Sequence, residues 1–132
     1  MTRGRRIILQ VMGEVSTPLT AEDILERVSV AVPGTALSTV YRTLDELVSR
    51  GRVERMLLRN DDRSFFELVR EGHRHYMVCL ACHGMFALTS CPIGDYADRA
   101  AEELDFQVTD HTLVLYGYCG RCRSKRQSQG LE

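Results

Sequence analysis

With 132 residues, 44% of them hydrophobic and 27% charged, and a formal net charge of −1, the chain is long enough for one domain or two small ones. The apolar run after Arg5-Arg6 breaks already at Gln10, so neither a signal peptide nor a membrane span is expected and a cytoplasmic location follows. Residues 1 to 72 hold eleven arginines against eleven acidic residues, so any nucleic-acid surface has to come from local placement rather than bulk charge.

Ile7, Ile8, Val11 and Met12 recur at helical spacing and predict a first helix that ends near Ser16-Thr17-Pro18, where proline cannot continue it. Thr20 stands before the acidic turn Ala21-Glu22-Asp23, and Ile24, Leu25 and Val28 form the next stripe, so a second helix starts there. After Pro33-Gly34, with Thr35 or Ser38 as the cap, Leu37, Val40, Leu44 and Leu47 predict a third helix that stops at Gly51. Arg52 to Arg59 and Ser64 to Leu68 are β-prone runs separated by Asn60-Asp61-Asp62-Arg63, the composition of a hairpin turn.

Three helices and a hairpin, in that order, predict a winged helix-turn-helix whose third helix enters the major groove. The apolar stripe leaves Ser38, Thr39 and Arg42 outward, with Tyr41 at its border. Hydroxyls there reach phosphates, Arg42 reads guanine or binds phosphate, and the Tyr41 ring presses a thymine methyl. Arg3, Arg5 and Arg6 are candidates for further phosphate contacts.

Two strands are predicted next, Tyr76 to Leu80 and Met85 to Thr89, then a helix opened by Pro92 with Ile93, Ala97, Ala100, Ala101 and Leu104 on its apolar face. Phe106 to Tyr118 reads as the longest strand, apolar on both faces and so covered twice, with a second copy of the chain as the economical cover. Four of the five cysteines form two identical pairs, Cys79-x-x-Cys82 and Cys119-x-x-Cys122, which are tetrahedral zinc hooks. The 36 residues between the pairs exceed a compact zinc ribbon, so the ion pins the end of a subdomain to its beginning.

All four histidines follow residue 72. His73 and His75 lie on one side of an extended segment and, with His111 and a carboxylate, predict a second metal site. Asp95 is the chosen carboxylate, with Glu102, Glu103 and the leftover Cys91 as rivals.

These strings, together with Ser38-Thr39-Val40-Tyr41-Arg42-Thr43-Leu44 and Tyr116-Gly117-x-Cys119, make the chain resemble the ferric uptake regulator (Fur) family of bacterial metal-dependent transcription regulators from about residue 2 to 122. The resemblance implies an α+β protein: an N-terminal winged helix-turn-helix that binds palindromic operators in double-stranded DNA, followed by a small C-terminal α/β dimerisation domain with a four-cysteine zinc site. It further implies structural Zn2+ on Cys79, Cys82, Cys119 and Cys122, and a regulatory divalent metal on His73, His75, Asp95 and His111. Many members also carry a ligand from the DNA-binding half, whereas here no histidine or cysteine precedes residue 73.

The expected boundaries are 1–69 for the DNA-binding domain, 70–75 for a hinge, 76–123 for the zinc-stapled dimerisation domain and 124–132 for a flexible tail. The function expected is a homodimeric repressor controlling metal homeostasis. Zn2+ is favoured as the sensed ion over Fe2+, Mn2+ or Ni2+, as in the zinc uptake regulator branch; iron, manganese, nickel or peroxide sensing are the alternatives. A zinc-dependent enzyme is the rival from another class, disfavoured because neither H-E-x-x-H nor a deaminase pattern occurs.

Overall fold

The computed structural model describes residues 2–70 and 74–130. The chain divides into two compact units, residues 1–71 and 72–132.

In the first unit, helix α1 (Arg3–Gly13) is capped by the Thr2 side chain, which accepts from the Arg5 N–H. Strand β1 (Leu19–Thr20) runs directly into α2 (Ala21–Ala31). There Thr20 and Asp23 each accept from the other's backbone N–H at 3.1 Å, a reciprocal capping box. Helix α3 (Leu37–Ser49) begins after Ala36 without a side-chain cap. Thr35, expected to cap, instead donates to the Val32 carbonyl at 2.7 Å, and Ser38 already lies within the first turn. Gly51, with φ +72°, takes the left-handed position that closes α3.

Strands β2 (Val53–Leu57) and β3 (Ser64–Leu68) form the wing hairpin, with β1 added antiparallel on the other side of β3. Ile8, Val11, Met12, Ile24, Val28, Val40, Leu44, Leu47 and Phe66 bury one face of each helix against this sheet. The fold is a winged helix-turn-helix.

The second unit is built differently. Strand β4 (Tyr76–Cys79) pairs antiparallel with β5 (Met85–Ala87) and parallel with β6 (Val114–Gly117). Helix α4 (Gly94–Leu104) begins two residues after Pro92, and α5 (Gly120–Ser128) follows β6. The long strand expected from Phe106 is cut to its last third, because β4 offers only four residues to pair with Val114–Gly117. Where a tail was expected from residue 124, α5 continues to Ser128. None of the α4 residues is buried, and Tyr96, Leu104 and Phe106 are between 65% and 70% exposed.

Candidate metal centres and nucleic-acid face

Cys79 ends β4, Cys82 stands in the turn that follows, Cys119 is the residue before α5 and Cys122 lies in its first turn. That turn after β4 is shaped by His83 in the left-handed region, φ +63°, whose N–H donates to the Cys79 carbonyl at 2.9 Å. A Cβ at Gly84 would stand 3.3 Å from the Cys82 sulfur and the Phe86 ring, so glycine lets the turn fold closely around the thiol.

The four sulfurs lie within 4.8 Å of one another. Cys82 and Cys119 are 3.8 Å apart, the edge of a tetrahedron with metal–sulfur bonds of about 2.3 Å and too long for a disulfide. The N–H groups of Cys119 and Cys82 donate to the Cys79 sulfur at 3.4 and 3.5 Å and hold its thiol down to about 5. The backbone N–H of Cys122 lowers Cys119 likewise. The hydrogen bond shared with Cys119, together with burial among the other sulfurs, pushes Cys122 up to about 12. The backbone thus favours the thiolate at Cys79 and the shared hydrogen bond favours the thiol at Cys122, a mismatch that a divalent ion removes by taking all four as thiolates. The donor set fits structural zinc.

A second cluster draws on three segments of this unit. His75, immediately before β4, is 5% exposed, and its Nε2 lies 3.0 Å from Nε2 of His111, ahead of β6. The two rings stack with centroids 5.0 Å apart. Cys91, in the loop between β5 and α4, places its sulfur 3.3 Å from the same His111 nitrogen. Of the expected ligands, His75 and His111 are thus brought together. Asp95 is exposed in the first turn of α4 and is not among the converging groups, and His73 lies outside the described residues.

On the other unit, α3 keeps Ser38, Thr39, Tyr41 and Arg42 exposed, as are Arg3 and Arg6 on α1. Arg42 reaches the Thr39 hydroxyl at 3.5 Å, and the Tyr41 hydroxyl donates to Glu22 at 3.4 Å. Burial and the neighbouring Glu22 carboxylate raise the Tyr41 phenol above its ordinary value, so it remains a neutral donor. Arg5, the third arginine expected to meet phosphate, is partly buried and its guanidinium is paired with Glu46, which also holds Arg50 at 3.3 Å. Asp45 is paired with Arg55 at 2.8 Å. The two acids of α3 are therefore neutralised within the unit, which lessens their repulsion of a phosphate backbone.

The sequence model of the Ferric uptake regulator family matches residues 1–116. The chain belongs to the ferric uptake regulator family. It is accordingly a metal-responsive, DNA-binding transcription regulator, and no helix among its described residues is long and apolar enough to cross a membrane. The Ferric uptake regulation protein of Bacillus subtilis (strain 168) is 32% identical over 110 residues, covering 81% of this chain and 73% of that protein. The solved structure of the Vibrio cholerae ferric uptake regulator (Fur) is similar with a TM-score of 0.78 at 29% identity, covering 90% of this chain and 91% of that one. A zinc-bound manganese uptake regulator gives a TM-score of 0.71 at 30% identity, with 89% of each chain covered.

In this Fur-family chain the two thiol pairs are legible from spacing alone. Convergence of Cys91 with the histidines is not. Its one sequence signal is a fifth cysteine left over beside Pro92.

Proposed function

We propose that this chain is a homodimeric, zinc-sensing repressor that binds palindromic operators in double-stranded DNA and acts in the cytoplasm, where thiols stay reduced. The observation that carries the proposal is the pairing of an exposed polar face on α3 with a second unit in which two ligand clusters converge. Cys79, Cys82, Cys119 and Cys122 would hold zinc, which would supply a closed tetrahedral staple. The cluster around His75 and His111 is the candidate for the regulatory ion, with His73 two residues away in sequence.

Ser38 and Thr39 would position α3 on phosphates, Arg42 would read a base edge or bind a phosphate, and Tyr41 would meet a thymine methyl. Arg3 and Arg6 would add backbone contacts. The exposed apolar groups Tyr96, Leu104 and Phe106 in the second unit support dimerisation there, since a monomer in water gains nothing from displaying them. An ion that prefers the DNA-binding form raises operator affinity by its differential binding, typically ~1–3 kcal/mol or ~5–150-fold, and DNA tightens the ion by the same factor.

The test is a fluorescence-anisotropy titration on duplex from upstream of the chain's own gene, at fixed salt, with buffered zinc, iron(II), manganese or nickel. Zinc should tighten binding at the lowest free concentration. Another ion doing so reassigns the signal, and binding indifferent to all four removes the regulatory role.

A further inference from the structure

We infer that the sensing centre is a mixed nitrogen–sulfur site in which the Cys91 thiolate, rather than a carboxylate, completes the ligand set with His75 and His111. The inference rests on the proposed regulatory role only for what the site is used for; the ligand set stands on geometry. The Nε2–Nε2 separation of 3.0 Å and the sulfur–nitrogen separation of 3.3 Å are within a few tenths of an ångström of the edges, roughly 3.4 and 3.6 Å, of a tetrahedron around zinc. All three donor atoms lie within 4.8 Å of one another, whereas the acids of α4 nearest in sequence, Asp95 and Asp98, are exposed and stand outside the group.

Ligand softness then decides the ion. A thiolate with two imidazoles suits zinc, and cobalt(II) as its spectroscopic substitute. It discriminates against manganese and magnesium, which favour oxygen donors. Among the described residues three donors converge, which leaves a coordination position for water or a further ligand, in contrast to the four-thiolate centre. The donors come from the segment before β4, the β5–α4 loop and the segment before β6, so occupancy ties the start of α4 to the central sheet.

The plain alternative is a Cys91 thiol that merely hydrogen-bonds His111. The two are separated by titrating the full-length protein, purified in reductant with its structural zinc retained, with cobalt(II) under anaerobic conditions. One added equivalent should bring tetrahedral visible bands and a sulfur-to-cobalt charge-transfer band, with zinc content unchanged. Cys91→Ser should abolish the charge-transfer band and weaken cobalt by more than the ~10–100-fold typical of outer-shell partners. His111→Ala should abolish the added equivalent. Cys91→Asp should restore binding without the charge-transfer band and raise manganese competition. Identical spectra for wild type and Cys91→Ser, or no added equivalent, would overturn the inference. A sulfur-ligated cobalt that leaves operator affinity unchanged would uphold the ligand set and sink the regulatory role instead.

Discussion

Arg42 is exposed on the outer face of α3 and among the described residues touches nothing stronger than the Thr39 hydroxyl, so its replacement removes little from the fold. Arg42→Ala should weaken operator binding by ~1–3 kcal/mol with the melting curve unmoved, as read by anisotropy and circular dichroism on the same samples. The cysteines make a different prediction. Because backbone N–H groups hold Cys79 at about 5 while Cys122 is pushed up to about 12, zinc loading at pH 7 should release fewer protons than there are thiols. Calorimetry in buffers of differing ionisation enthalpy counts them; a full complement would mean that Cys79 is not ionised beforehand. The sign also fixes the acid side. A thiol lowered in the fold favours the folded form above its unfolded value and loses that advantage as pH falls towards 5, so the metal should dissociate on acidification rather than in mild base.

Among the elements, α3 and α5 have opposite origins. The first carries its own reason to form: Val40, Leu44 and Leu47 stack at helical spacing and are almost completely buried. Leu44→Ala should cost ~2–5 kcal/mol, measured by urea unfolding, because a completely buried side chain is truncated and leaves a cavity. In α5, nine residues from Gly120 to Ser128, the bases Arg121, Arg123, Lys125 and Arg126 crowd like charges together, and only Cys122 is buried. So short a helix is marginal alone. It is held by two thiols at its start and by the Arg126 guanidinium 3.9 Å from the Tyr118 ring centroid. Chelation should therefore remove helical signal, and Cys122→Ser should remove the same amount without chelator.

That contrast explains what sequence can and cannot disclose. The stripes of α1, α2 and α3, the Thr20–Asp23 cap and the Asn60–Arg63 turn are local chemistry and are legible. Helix α5 has no stripe to read, since its support is a sulfur cluster closed from 40 residues away. The alternation from Phe106 to Leu113 looks like a strand, yet a strand needs a partner, and β4 is too short to provide one. Two-residue β1 exists only because β3 has an open side for it. Cys91 and His111, 20 residues apart, meet through the path of the chain rather than through spacing.

For the molecule as a whole, the two units differ in what makes them stable. The core of the first contains no histidine or cysteine, whereas the described residues of the second include few buried groups: His75, Tyr76, Val78, Cys79 and Cys122. Units of roughly 60 residues are marginal without a staple. Removing zinc from the intact chain should split the calorimetric melt, lowering the transition of the second unit while that of the first stays near its place. A single cooperative shift of both would show that the units unfold together. Phe106→Glu should reduce a dimer to monomers in sedimentation, since that ring is 70% exposed in the single chain.

The matched acids and bases of the first unit also bear on how the protein would spend its time in a cell. With eleven arginines against eleven acidic residues in positions 1–72, and Asp45 and Glu46 of α3 engaged by Arg5, Arg50 and Arg55, net charge adds little to any indiscriminate grip on the chromosome. Fewer copies would then be stranded on the vast excess of irrelevant sites, and a promoter once vacated would be revisited less often by a protein sliding nearby.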